Sequence, residues 1–265
     1  GLPFRGYLNL WLEREERISF GFDRRGVSLT GIRAVKGDLM TTFTLRYART
    51  VLTHLEITES EIDRQFFPFS STSLSTSLIH DRRDDSFNPE NGYFASAVFE
   101  WAFPLFGSEA DFLKAFIKYQ RFYSPAARWN LSGTFRLGLG RGRMPIHERF
   151  FAGGSNSFRG QEFDELGPKD SFSLKPIGGK ALILFNLELS FPLLSSLPAM
   201  RGVIFYDTGN VFSKRSQFDL ASLEHALGFG LRYRTPLGPL RLELAWNLTE
   251  RKTRPFLFIT IGQIF

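Results

Sequence analysis

The sequence predicts an all-β fold, a transmembrane antiparallel up-and-down β-barrel, and three observations carry that prediction. Apolar and polar side chains alternate in run after run along the chain, the period of a strand with one greasy and one wet face. Aromatic residues make up 15% of 265 residues, with Phe alone at 30. That is more than a core of so polar a chain needs, so the surplus faces something apolar outside the core. Connections also divide into tight turns and long loops, the two-sided pattern of a membrane barrel.

Twelve alternating runs follow one another, over residues 5–16, 18–34, 37–55, 69–83, 92–104, 110–123, 127–141, 180–193, 200–212, 225–236, 239–249 and 254–265. In the third, Phe43, Leu45 and Tyr47 oppose Thr42, Thr44 and Arg46. In the seventh, Trp129, Leu131, Phe135 and Leu137 oppose Asn130, Ser132, Thr134 and Arg136. In the eighth, Ile183, Phe185, Leu187 and Leu189 oppose Asn186, Glu188 and Ser190. In the eleventh, Leu240, Leu242, Leu244, Trp246 and Leu248 oppose Arg241, Glu243, Ala245 and Asn247. Helical windows are nearly absent, with one short turn expected between Leu220 and Leu227. A strand needs about 9–11 residues to cross a bilayer, and these runs supply them.

Alternation alone also fits a soluble sandwich, whose apolar faces pack inward. Here the supposed inner faces are built from Arg, Glu, Asn, Ser and Gly, and aromatics stand at strand ends at Trp101, Tyr123, Trp129, Tyr233 and Trp246. That arrangement suits polar side chains lining a wet lumen and an aromatic girdle at the membrane interface. Segments 88–92 and 235–239 are tight turns, while 56–68, 142–179 and 213–224 are long. An even strand number then leaves both termini on the short-turn, periplasmic side. The whole chain, 1–265, is expected to be one barrel domain, with 142–179 a long loop inserted into its lumen.

The remaining chemistry is mostly excluded. The longest apolar stretches, such as Ala181–Phe185, fall far short of the roughly 18–20 residues of a spanning helix. With no Cys there is no disulfide scaffold and no thiolate metal site. His54, His80, His147 and His225 stand singly, without metal-ligand spacing. The net charge of +6 is spread along the chain rather than clustered, so no nucleic-acid partner is expected. Gly138-Leu139-Gly140-Arg141-Gly142 sits at a strand end with no helix to follow, a kink rather than a phosphate loop. Asp84 and Asp85 flank a turn, and turn chemistry accounts for them. No catalytic constellation emerges, so neither an enzyme nor a cofactor is expected. Gly1-Leu2-Pro3-Phe4-Arg5 opens directly into a strand-like segment, as a mature protein or a domain cut from a longer one does.

An irregular loop of nearly forty residues calls for a function. It carries Gly153-Gly154, then Phe158-Arg159-Gly160-Gln161, then Gly167-Pro168. Downstream come Phe205-Tyr206-Asp207-Thr208-Gly209, then Thr235-Pro236-Leu237-Gly238-Pro239. Upstream lies Arg83-Asp84-Asp85-Ser86-Phe87-Asn88-Pro89-Glu90-Asn91-Gly92, and the last run ends in Gly262 and Phe265. In these motifs the chain resembles the BamA/TamA superfamily of outer-membrane assembly and translocation barrels, the bacterial surface antigen domain. The family's loop reads Gly-Gly, then Val/Ile-Arg-Gly-Phe/Tyr, and five strands follow it, as here. Phe158 stands where the family has Val or Ile, and Gln161 where it has an aromatic. The family barrel usually has sixteen strands behind N-terminal POTRA modules, so twelve strands imply a truncated barrel or a short, POTRA-less relative.

The resemblance implies an integral protein of the bacterial outer membrane that inserts or exports other proteins through a lateral seam; the alternative is a passive or structural barrel plugged by its loop. Implied partners are outer-membrane lipids, unfolded client proteins, and accessory lipoproteins or POTRA modules. A charged Arg159 folded into the lumen needs a carboxylate partner. Asp207, Glu188 and Glu243 are the lumen-facing candidates by strand order, and the resemblance favours Asp207. Gly262 is expected to weaken the pairing of the last strand at a seam between Arg5–Trp11 and Ile259–Phe265, Gly having no side chain to pack. Phe265 would be the terminal aromatic of an outer-membrane assembly signal.

Overall fold

A computed structural model describes residues 4–36, 38–58, 68–194, 196–235, 238–250 and 254–262. The alternation becomes twelve antiparallel strands: β1 (Phe4–Glu16), β2 (Gly21–Lys36), β3 (Leu39–Thr53), β4 (Phe69–Asp81), β5 (Gly92–Phe103), β6 (Asp111–Tyr123), β7 (Asn130–Arg143), β8 (Ala181–Pro192), β9 (Met200–Phe212), β10 (Glu224–Thr235), β11 (Gly238–Asn247) and β12 (Phe256–Ile261). Each pairs with its sequence neighbours in one up-and-down sheet. The expected turn near Leu220–Leu227 is instead two single 3-10 turns, Arg215–Gln217 and Leu220–Ser222, and β10 has begun by Glu224.

The polarity of the sheet is inverted relative to a soluble protein. Along β11, Leu240 and Leu242 are exposed while Arg241, Glu243 and Asn247 are buried; Leu242 is 42% accessible and its neighbour Glu243 is 0%. Exposed Leu, Phe and Ile therefore cover the outer face, as lipid requires. Exposed Tyr123, Trp129 and Tyr233 mark the end that carries both termini, and Trp101 marks the loop end.

The inner face divides into two zones. Nearer the termini it is polar, with Ser132, Thr134, Arg136, Asn186 and Glu188 buried. Nearer the long loop it is apolar: Phe69, Phe112, Leu182, Leu184 and Val211 form one buried cluster with Met144, Phe150, Ala152, Phe158 and Leu166 of the loop. The expectation of a wet lumen is thus corrected toward the loop end, where the concave face is a packed apolar core. Phe20, Phe22, Ile146 and Ile177 extend that packing toward the first strands.

Asp84 and Asp85 shape the connection beneath this face. Asp84 accepts from the backbone of Asp85, Glu90 and Asn91, and Asp85 from that of Phe87 and Asn88. Those backbone donors hold the Asp85 carboxyl below its ordinary pKa.

The sheet is open. β1 and β12 are its two edges, and no ladder joins them among the described residues. The expected seam is therefore unpaired among the described residues, which leave out its last three positions. Gly262 follows the last residue of β12 at φ 111°, and its N–H donates to the Pro239 carbonyl of β11 at 2.9 Å. Phe265 lies outside the described residues.

Inward and outward positions are separable by chemistry. Cysteine at Leu187, which faces outward, should react with a lipid-soluble maleimide. Cysteine at Ser132, which lines a polar cavity, should react with a small water-soluble thiosulfonate instead. Equal labelling of both by the lipid-soluble reagent would overturn the inverted polarity.

Candidate functional site: the docked loop

The chain between β7 and β8 is folded tightly rather than trailing free. Pro145, in extended geometry, immediately precedes a single 3-10 turn at Ile146–Glu148. Phe150 and Gly179 then exchange backbone hydrogen bonds of 2.8 and 2.9 Å, which pinches the loop at its neck. Leu166 N–H donates to the Ala152 carbonyl. Between these bridges Gly153 turns at φ 124°, where an added Cβ would collide with the Glu162 carbonyl, so only Gly serves. The Ser157 hydroxyl closes the turn, accepting from Gly153 N–H at 2.8 Å and donating to its carbonyl at 2.7 Å. The Phe158 ring is fully buried. A Cβ on Gly160 would stand 2.7 Å from both that ring and the Ala226 methyl, so Gly160 lets the loop lie directly on β10.

This path delivers Arg159 to the polar zone, where it is 1% accessible. Its Nε and Nη2 donate to the two oxygens of Asp207 at 2.8 and 2.7 Å, and its backbone N–H adds a third bond at 3.1 Å. Nη1 reaches Glu188 at 3.1 Å and Glu243 at 3.4 Å. The guanidinium also lies 3.3 Å from the centre of the Phe205 ring. Burial works against the Arg159 charge, but the carboxylates of Asp207, Glu188 and Glu243 more than reverse this and hold its pKa above the ordinary arginine value. All three acids expected near Arg159 contact it together, with Asp207 the bidentate partner.

Sequence reasoning missed the rest of the cluster. Arg232 of β10 pairs with Glu188 at 2.6 Å and with Glu243 at 3.3 Å. Arg241 of β11 pairs with Glu243 at 2.7 Å and donates to the Ser155 carbonyl and the Asn156 side chain. The two arginines are cross-strand partners, and their places on the polar register were the available signal. Asn186 bridges Asp207 and the Ser157 carbonyl, and itself accepts from Arg136. Asn247 donates to the Gly160 carbonyl. Gln161, in place of an aromatic, donates to Glu224 and Glu250. Beneath the cluster a cavity of about 260 Å³ is lined by Glu188, Arg232, Arg201 and the turn Asp85–Glu90 among others.

A second acid was missed altogether. Glu148, at the start of the loop, is buried and faces Arg24, Arg46 and Lys114. A lone Glu in a loop gives no signal in sequence. His147 beside it packs between the rings of Phe22 and Phe69, and burial lowers its pKa to about 4. Among the described residues, no cluster of acids and histidines has the composition of a metal site.

A β-sheet of inverted polarity, filled by a Gly-Gly…Arg-Gly loop that is clamped to an Asp two strands away, has close counterparts. Residues 7–265 match the Omp85 superfamily domain. The chain belongs to the Omp85 superfamily.

Within this superfamily it is 29% identical over 178 residues to the outer membrane protein assembly factor BamA of Nitratidesulfovibrio vulgaris, covering 65% of this chain and 22% of that protein. It is 30% identical over 192 residues to a SAM50-like protein of Schizosaccharomyces pombe, covering 66% and 40%. In fold it matches the crystal structure of BamA from Haemophilus ducreyi lacking POTRA domains 1–3, with a TM-score of 0.80 at 18% identity, over 97% of this chain and 57% of that one. The chain therefore spans between about a fifth and two fifths of the length of these two curated relatives.

For this Omp85 loop, Arg159→Ala should weaken docking by about 3–5 kcal/mol, the cost of orphaning buried charge, read as faster proteolysis within 150–166 while the strands stay assembled. Asp207→Ala should act similarly, and the double variant should lose less than the sum. Arg159→Lys should not restore protection, because an ammonium lacks the fork that grips Asp207.

Loop docking should also depend on pH through His147. A released loop regains the ordinary histidine value of 6.5, whereas the docked one sits near 4. The released state therefore binds more protons in between. Protection should be full above pH 6.5 and fall as pH drops toward 4. Limited proteolysis across that range checks this, and His147→Phe should flatten the dependence.

Proposed function

We propose that this chain is the membrane barrel of a bacterial outer-membrane assembly or translocation factor, which works by physical templating rather than by chemistry. The observation that carries the reading is the pair of unpaired sheet edges, β1 and β12, flanking a loop docked by a buried charge cluster. Unpaired N–H and C=O groups along β1 can accept an incoming strand by edge pairing. The docked loop holds the concave face in one shape while the edge works. The names of the matched relatives, an assembly factor among them, support the same reading. The substrates are unfolded outer-membrane or secreted client chains. Lipids, accessory lipoproteins and POTRA-type modules are the surrounding partners. The bacterial outer membrane is the location favoured by the BamA relative.

The second reading, a plugged passive barrel, is favoured by one observation: the loop fills the apolar zone of the concave face, with a cavity of about 260 Å³ beneath the charge cluster. Reconstitution into liposomes separates the two. Accelerated folding of a client barrel supports templating, whereas conductance without client insertion supports the pore. Under templating, a cysteine crosslink tying the 5–11 segment to 259–262 should leave the barrel assembled and cut client insertion at least tenfold. Undiminished insertion in the tied protein would sink the edge mechanism.

A further inference from the structure

We infer that Glu148 is a second positioning residue, which ties the loop to the N-terminal strands and couples loop docking to the edge strand β1. Its Oε1 accepts from Arg24 Nη1 of β2 at 2.9 Å, and its Oε2 from Lys114 Nζ of β6 at 3.1 Å. Arg46 of β3 stands 3.7 Å away and donates to Glu100 of β5. Arg24 in turn donates through Nε and Nη2 to Glu13 of β1, at 3.0 and 2.8 Å. One buried carboxylate thus collects cations from three strands, and one of those cations holds the edge strand.

The arrangement mirrors the Arg159 cluster. There, Arg159, Arg232 and Arg241 face Asp207, Glu188 and Glu243. Here, Arg24, Arg46 and Lys114 face Glu148, Glu100 and Glu13. Three bases meet three acids in each case, but the loop supplies the base in one and the acid in the other. The two loop residues are eleven positions apart (159 − 148). The segment between them is stiffened by the Phe150–Gly179 and Ala152–Leu166 bridges and by the Ser157-closed turn. A rigid segment anchored at both ends cannot leave one anchor without loading the other.

A separate contact also joins the loop to the first hairpin. Arg17, between β1 and β2, donates to Asp164 at 2.8 Å and lies 4.7 Å from the centre of the Phe151 ring. The loop therefore acts as a tie beam from the first strands to β8–β11, and its docking and the order of β1 are two readings of one equilibrium.

The inference rests on the reading that loop docking governs the working edge. Its test reads backbone order, not client insertion, so the two can fail separately. Amide hydrogen exchange is measured on the full-length protein reconstituted in lipid. Glu148→Gln should speed exchange roughly tenfold or more in β1–β3 and in residues 153–166, since removing one partner of a buried cluster leaves the others uncompensated. Arg159→Ala should speed exchange in β1–β3 as well, although Arg159 touches none of those strands. If Glu148→Gln does not assemble, Lys114→Gln removes one donor and should give the same pattern at a smaller fold-change. Acceleration confined to residues 144–150, or β1–β3 exchange unmoved by Arg159→Ala, would overturn the coupling.

Discussion

One buried guanidinium sets the arrangement of the concave face. Asp207, Glu188 and Glu243 project from β9, β8 and β11 into the same polar zone, each at most 2% accessible. Arg232 and Arg241 neutralise two of the three charges in direct contact, and Arg159 from the loop supplies the third. Without the loop Asp207 loses its bidentate partner in a confined space, where charge is costly to leave poorly paired. Without the strands the loop carries an arginine with no carboxylate to meet it. The geometry of docking is therefore set by completion of a charge cluster rather than by any single hydrogen bond, and a cluster whose members share partners tends to form or break together.

The apolar zone supplies what electrostatics alone cannot. A buried ion cluster is weak evidence for stability, because desolvation offsets much of its attraction, but it is demanding about geometry. The net favourable term comes from Phe150, Ala152, Phe158 and Leu166 leaving water to pack on Leu182, Leu184, Phe112 and Val211. The loop and the concave face are thus divided in the same way, apolar toward the loop end and charged toward the termini. Register follows from this match. Sliding the loop by one residue would put either Arg159 where Phe158 packs or Phe158 where Arg159 pairs.

The elements of the fold were legible because lipid imposes a rule that the sequence must display residue by residue. A strand with lipid on one side alternates, and Leu240–Asn247 or Phe185–Ser190 shows that period without ambiguity. Arg159 and Asp207 were legible through motif and register together. The apolar half of the inner face was not, because Leu182 and Leu184 beside Ile183 and Phe185 read as one greasy stretch at a strand end. Glu148 was invisible for a different reason. Its partners Arg24, Arg46 and Lys114 come from three strands that only the three-dimensional path of the loop brings to one point. Open edges, too, are a property of pairing, which alternation within a strand does not report.

The two edges are unequal, and that inequality bears on the proposed mechanism. β1 has thirteen residues and a full ladder to β2 behind it, whereas β12 pairs over six among the described residues. In a bilayer each unpaired backbone group costs several kcal/mol, because nothing in hydrocarbon can satisfy it. Pairing β1 with so short a partner leaves much of its edge unsatisfied. A longer strand satisfies more of it, which favours exchange of the short partner for an incoming one without any chemical energy source. Exposed Leu8, Leu10 and Leu12 along β1 already present the outward apolar register that such a strand would continue. Beside the β2 ladder that holds this edge, Glu13 is held by Arg24 and Arg24 by Glu148 of the loop, which is where loop docking would act on it.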